Sequence, residues 1–205
     1  MAAVEQISPV AEARQQAVAE TIRRVRQIEE GEGVSPATLE KIKAEMMKLA
    51  DRKDLFPASD FPHPEGTEDH TRYLVHEEPN ERFVLYMNSM KPGKQASPHD
   101  HSETWAVVVA IQGEEENVLW KVLEEDMSAG KAKIEPDVSV TVEPGTGVAI
   151  MPRQIHSIAI KGTEPTMHLH LYGQALERLG PRRGYNPERG TMFEFKSHGQ
   201  TVGKS

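Results

Sequence analysis

Residues 93–113 read GKQASPHDHSETWAVVVAIQG, and residues 147–156 read GVAIMPRQIH. Side chains two positions apart on a strand point to the same face, so His99 and His101 are expected to converge. The two stretches are expected to pair as strands, which would bring in His156 as a third imidazole. Neutral imidazole is a common ligand of zinc, iron, copper and nickel. The pattern therefore predicts a mononuclear metal site in a small β-barrel, with His99, His101 and His156 as ligands.

Composition restricts the class of protein. The chain has 205 residues, enough for one domain with an extension, and a formal net charge of −8. Interspersed charges of this balance disfavour nucleic-acid binding and favour a small-molecule ligand. The sequence has no cysteine, which fits a reducing cytoplasm. Residues 1–15 lack a signal-peptide core and no apolar run approaches the ~18 residues of a membrane span. We expect a cytoplasmic protein without a membrane partner, and a homo-oligomer stays open.

Two regions are predicted. Residues 1–60 are expected to form a helical extension packed on the barrel, with helix starts at Ser8-Pro9 and Ser35-Pro36. Residues 61–205 are expected to form the barrel and a C-terminal tail that is loop from Gln174 onward. Short apolar runs separated by glycine and proline predict eight strands, which are Thr71–His76, Arg82–Ser89, Thr104–Gln112, Glu116–Glu124, Val138–Val142, Thr146–Met151, Ile155–Ile160 and Met167–Tyr172.

The order of these features resembles the two motifs of the cupin superfamily: glycine, His-x-His, an apolar strand and glycine, then glycine, proline and histidine. This resemblance implies a mainly β fold, a jelly-roll barrel with the helices as an N-terminal extension. Many cupins place a glutamate ligand about four residues after the second histidine. Here the nearest glutamate is Glu103, two residues after His101, and we expect it to be an exposed loop carboxylate. The second motif also lacks its usual glycine between Pro152 and His156.

A three-histidine set without a carboxylate resembles the thiol dioxygenases within that superfamily. Residues 168–173, HLHLYG, resemble the Ser-x-His-x-Tyr strand of that family, with His168 in place of the serine. The resemblance implies Fe(2+) as the cofactor and a relay in which His170 holds Tyr172, whose hydroxyl lies over the iron. The structural alternative is a buried polar strand. Because the chain has no cysteine, Tyr172 cannot carry a cysteine crosslink, which looks like the bacterial branch of the family.

The predicted reaction is the O2-dependent oxidation of a small carboxylated thiol to its sulfinate. Residues 70–75, HTRYLV, resemble the strand that carries the substrate arginine in cysteine dioxygenases, which makes Arg72 the expected carboxylate clamp. Cysteine, 3-mercaptopropionate and mercaptosuccinate all remain open as substrates. A dicarboxylate would need a second cation, for which Arg153 and, in the tail, Arg182 or Arg183 are available. Arg72 could instead pair at the surface with Glu68 or Glu77.

Two other functions remain open at this stage. A zinc or nickel protein that is not an oxygenase could use the same three histidines. A non-catalytic barrel could bind a small molecule and signal through the helices.

Overall fold

The structure is a computed structural model that describes residues 7–80, 82–196 and the backbone of 202–204. The expectations made for residues 1–6 and for the end of the tail therefore lie outside the described residues. Helix α1 spans Pro9–Glu32 and helix α2 spans Pro36–Ala50. Both start as predicted, because the hydroxyls of Ser8 and Ser35 each accept a backbone N–H of the first turn at 3.1 Å.

In the part of the chain that the structure describes, twelve strands follow the helices. They are β1 (His70–Glu77), β2 (Arg82–Met90), β3 (Gln95–His99), β4 (Ala106–Gln112), β5 (Glu115–Asp126), β6 (Lys131–Val142), β7 (Gly147–Ile150), β8 (Ile155–Ala159), β9 (Thr166–Gln174), β10 (Arg182–Asn186), β11 (Thr191–Phe195) and β12 (Val202–Lys204). Short 3₁₀ turns span Lys53–Leu55 and Leu176–Arg178.

The strands form two sheets. The first has the order β12-β1-β2-β9-β4-β7, and the second closes on itself in the order β10-β11-β6-β5-β8-β3. The chain alternates between them, since β7 and β9 belong to the first sheet and β8 to the second. All pairs are antiparallel except β1 with β12. The predicted fold class, a mainly β jelly-roll with an N-terminal helical extension, is confirmed.

The two faces of β9 separate the helical core from the barrel interior. Met167, Leu169 and Leu171 belong to the apolar core that α1 and α2 share with the first sheet. The alternate residues His168, His170 and Tyr172 point the opposite way, as the period of two requires. The helices therefore pack against the back of this sheet. A hydrogen bond from the Trp105 indole to Glu29 (2.7 Å) joins α1 to the residue before β4. The division of the chain at residue 60 stays a prediction.

Three parts of the predicted strand pattern are wrong. The tail contains β10 and β11 where loop was expected, and β6 starts at Lys131 rather than Val138. His99 closes the separate strand β3, whereas His101 lies in the loop between β3 and β4. β10 completes the second sheet by pairing Gly184 with His99, a long-range contact that no local pattern indicates. Among the described residues, no helix is both long and apolar enough to cross a bilayer.

Candidate metal centre

Three imidazoles meet between β3 and β8. The antiparallel register places His99 directly opposite His156, and His101 reaches the same point from the loop after β3. The ring centroid of His156 lies 4.6 Å from that of His99 and 4.7 Å from that of His101. One ring nitrogen from each residue lies within 4.8 Å of the other two. The structure thus brings together the three residues predicted as ligands; their role as ligands stays a prediction.

The hydrogen bonds of these rings determine which nitrogens face the centre. Nδ1 of His99 lies 2.7 Å from the Ser97 carbonyl oxygen, and Nδ1 of His156 lies 3.0 Å from Oδ1 of Asn117. Because these oxygens only accept, each Nδ1 carries the proton and each Nε2 keeps its lone pair. Orienting contacts of this kind are typical of histidines that bind metal.

The spacing of the inward nitrogens fits one ion. Nε2 of His156 lies 3.2 Å from Nε2 of His101. Two ligands on an ion with bonds of about 2.1 Å reach this separation at an angle of about 100°. Burial lowers the pKa of His99 to about 4 and holds the pKa of His101 and His156 well below the usual value. Arg182 acts in the same direction on all three, and the neighbouring imidazoles do so on His101 and His156. At neutral pH all three rings are therefore neutral, the form that binds a metal.

Asp100, between the two histidines, organises the loop that carries His101. Its side chain is fully buried, and Oδ1 accepts the backbone N–H groups of Ser102 at 2.9 Å and of Arg183 at 3.0 Å. The guanidinium of Arg153 lies 3.3 Å from Oδ2 and also donates to Glu103 at 2.7 Å. Glu103 is exposed, as expected. Arg153 thus stabilises the loop through these contacts. Its role in binding substrate stays a prediction.

Arg182 lies next to the three histidines. Its Nε donates to the backbone carbonyl of Asp100 at 2.8 Å, and its guanidinium lies 5.1 Å from the Phe195 ring centroid. A hollow of about 310 Å³ opens here, lined by apolar side chains together with His99 and Arg182. A half-buried cation beside an apolar hollow can hold the carboxylate of a small ligand.

Arg72 is connected to the histidines through two tyrosines. Its guanidinium pairs with Glu177 at 2.8 Å and lies 4.5 Å from the centroid of Tyr86. The Tyr86 ring is 6.2 Å from Tyr172, which in turn lies 5.2 Å from His101 and perpendicular to it. The surface pairs with Glu68 or Glu77 are therefore not what the structure shows. Burial raises the pKa of Tyr172, so its hydroxyl stays protonated and can donate.

A second buried cluster lies on the same inward face of β9. Ligand atoms of Glu115, His168 and His170 lie within 4.8 Å of one another. Glu115 accepts a 2.7 Å hydrogen bond from Asn117, the residue that also contacts His156. The ring centroids of His170 and Tyr172 are 6.4 Å apart, and within the described part of the chain no hydrogen bond joins the two residues. The relay predicted for them therefore lacks a direct hydrogen bond.

Sequence reasoning missed Asp100, Glu115, Asn117 and Glu177. The sequence holds no local signal for Glu115 and Asn117, because only the pairing of Leu119, on the same strand, with His156 shows that this face points inward. Burial raises the pKa of Glu115 to about 7, which marks an acid that lacks the partners its charge requires.

No family model matches the chain, and no curated protein matches it. Several solved structures are distantly similar. A double-stranded beta-helix protein from Klebsiella pneumoniae is 18% identical, with a TM-score of 0.44 over 61% of this chain and 86% of that one. An oxalate oxidase in complex with glycolate is 16% identical, with a TM-score of 0.42 over 58% and 59%. A Cupin_2 domain of a transcriptional regulator from Enterobacter cloacae is 18% identical, with a TM-score of 0.37 over 53% and 99%. Likenesses this distant support no argument about function.

Proposed function

We propose that the protein is a mononuclear non-haem iron(II) thiol dioxygenase that converts a small carboxylated thiol and O2 into the corresponding sulfinate. The observation that carries this proposal is a cluster of three neutral imidazoles in which no carboxylate takes part, within the described residues. Such a set leaves the full positive charge of a divalent ion in place, which favours an anionic thiolate as the next ligand. Bound iron(II) would supply the binding of thiolate and the activation of O2.

The side chains around the cluster have separate roles in this proposal. His99, His101 and His156 would hold the ion, with two of the rings oriented by Ser97 and Asn117. Arg182, and Arg72 on the far side of the tyrosines, would bind and orient the substrate carboxylate. Tyr172 would donate its hydroxyl proton in a hydrogen bond to the reacting group, since burial keeps it protonated.

Oxygen uptake with a panel of thiols tests the proposal. The protein is loaded with Fe(II) without air and then given cysteine, 3-mercaptopropionate or mercaptosuccinate in aerated buffer. We expect at least one thiol to be consumed in a 1:1 ratio with O2, and mass spectrometry should show two added oxygen atoms. His156→Ala should abolish uptake. His63→Ala is the matched control, because His63 bonds Ser89 and lies outside the cluster.

Three outcomes would contradict the proposal. If no thiol increases the rate of oxygen uptake, the protein is not a thiol dioxygenase. Zinc as the dominant metal of the purified protein, with no thiol oxidised after iron loading, would favour a non-oxygenase. Retention of a small ligand without oxygen consumption would favour a binding protein.

A further inference from the structure

Three buried polar side chains inside the barrel have unsatisfied atoms that face one another. Glu115 and His168 are fully buried and His170 is 6% exposed. Oε2 of Glu115, both ring nitrogens of His168 and Nε2 of His170 have no hydrogen-bond partner of normal geometry, and only the backbone of Gly113 and Gln112 comes close enough to the His168 ring to raise its pKa. Buried polar atoms are satisfied in the large majority of cases, so four such atoms in one cluster need an explanation. The catalytic proposal above uses neither Glu115 nor His168.

We propose that Glu115, His168 and His170 form a second metal site that binds one divalent transition-metal ion independently of the three-histidine centre. Two imidazoles and one carboxylate are a common ligand set for zinc, iron, manganese and cobalt. The carboxylate offsets one positive charge of the ion, which the three-histidine centre does not do.

The distances favour an ion over a direct hydrogen bond. Nδ1 of His168 and Oε2 of Glu115 are 3.7 Å apart, which is beyond hydrogen-bond range. An ion with bonds of about 2.1 Å spans this gap at an angle of about 124°. A water molecule with hydrogen bonds of about 2.8 Å would need an angle of about 83°, well below its tetrahedral preference. The gap thus fits a short-bonded ion better than a water molecule.

The surrounding strands support the site and separate it from the first. Asn117 donates to Oε1 of Glu115 at 2.7 Å, which leaves Oε2 for an ion. His168 lies four residues before Tyr172 on β9, and Tyr172 contacts His101. Four residues of strand span about 13 Å, so His168 lies well away from Tyr172, whereas His170 lies two residues from Tyr172 and is the member of the cluster nearest to the three histidines. Asn117 bridges the two groups, because its Oδ1 contacts His156.

Metal stoichiometry tests this inference without any measurement of oxygen chemistry. The chelator-stripped protein is titrated with Co²⁺ at neutral pH, and bound metal is counted by mass spectrometry and followed by cobalt absorption. We expect two Co²⁺ per chain for the native protein. The double variant His101→Ala/His156→Ala, which leaves the second cluster intact, should retain one. Glu115→Gln should lower the affinity of the second ion about 100-fold or more and leave the first bound. His63→Ala should still bind two.

Saturation of the native protein at one Co²⁺, with none bound by the double variant, would overturn the second site and leave a cluster that holds only water. Circular dichroism and thermal unfolding show whether each variant is folded. If the double variant fails to fold, the native protein and Glu115→Gln decide the question alone. Two ions in the native protein against one in Glu115→Gln support the site, and equal numbers in both overturn it. Absence of dioxygenase activity alone would leave these counts unchanged, and a three-histidine centre that binds no ion would leave one Co²⁺ in both the native protein and the double variant.

Discussion

Single hydrogen bonds position the rings of the three-histidine cluster, and Asn117 makes the most informative one. It accepts from Nδ1 of His156 and donates to Glu115, so one amide orients groups in both clusters. We expect Asn117→Ala to weaken metal binding at the three histidines about 10- to 100-fold, the usual effect of removing such an orienting contact. Competition with a coloured chelator measures this affinity. Asn88→Ala is the control, since Asn88 contacts His70 instead; equal affinities in native protein and Asn117→Ala would contradict the role.

Tyr172 is expected to contribute to turnover rather than to metal binding. Its ring lies 5.2 Å from that of His101, and its buried hydroxyl is kept protonated. Under the dioxygenase proposal, Tyr172→Phe should lower kcat about 10-fold or more with iron content unchanged. Tyr86→Phe is the matched control, because Tyr86 packs against Tyr172 but does not contact a ring of the triad directly. Unchanged kinetics in Tyr172→Phe would remove this hydroxyl from the reaction.

Two adjacent arginines allow a sharp test of substrate binding. Arg182 lines the hollow beside His99, whereas Arg183 pairs with Glu125 at the protein surface. Because lysine cannot reproduce the two-pronged contact of a guanidinium with a carboxylate, Arg182→Lys should raise KM for the thiol about 10-fold. Arg183→Lys should leave KM within about twofold of the native value. Steady-state oxygen uptake gives both values, and equal KM values for the two variants would exclude Arg182 as the clamp.

The meeting of His99, His101 and His156 could be predicted from the sequence, and the residues that support them could not. His99, His101 and His156 stand out because imidazoles two apart near a strand have few other uses. Glu115 and Asn117 belong to the polar run Glu114-Glu115-Glu116-Asn117, which is typical of an exposed strand. Only the pairing of β5 with β8 makes their face an interior one. Their burial therefore follows from a long-range contact rather than from a local pattern.

At the scale of elements, the loop between β3 and β4 depends on the buried carboxylate of Asp100. It accepts two backbone N–H groups and pairs with Arg153. Asp100→Ala leaves these donors without a partner, and we expect the free energy of unfolding to fall by about 2–4 kcal/mol. Asp100→Asn keeps the Oδ1 acceptor and should lose about 1 kcal/mol. Urea denaturation measures both, and a difference below about 0.5 kcal/mol between the variants would contradict this account.

The strand pattern was predictable where strands are apolar and punctuated. β2, β4 and β9 were identified because their sequences are strongly apolar or alternate. The first part of β6 was missed because most of its side chains are exposed and it contains Pro136, which sits at a register shift opposite Trp120. β10 was missed because it follows Gly180-Pro181 and carries two arginines. Exposed, polar strands at a sheet closure carry little periodic signal.

At the scale of the whole molecule, the first sheet has an apolar core on one side and a group of ionisable side chains on the other. Helices α1 and α2 cover one face, and four buried histidines, the half-buried His99 and the buried Glu115 lie behind the other. Burial lowers the pKa of His99 and His168 to about 4, and lowers the pKa of His101, His156 and His170 well below 6.5. Below pH 6.5 the unfolded chain therefore binds more protons at these histidines than the folded protein does.

Glu115 has the opposite effect on how the free energy of unfolding depends on pH, and the two effects together can be measured. Its pKa of about 7 in the folded protein is higher than the ordinary glutamate value of 4.5. Its contribution to stability is therefore present at low pH and is lost as the pH rises toward 7. Five histidines outweigh one glutamate, so the free energy of unfolding of metal-free protein should rise steadily from about pH 4 to about pH 6.5. Urea denaturation at several pH values measures the slope, and Glu115→Gln should steepen it. A flat profile over this range would show that these histidines are solvated or already charged in the folded protein.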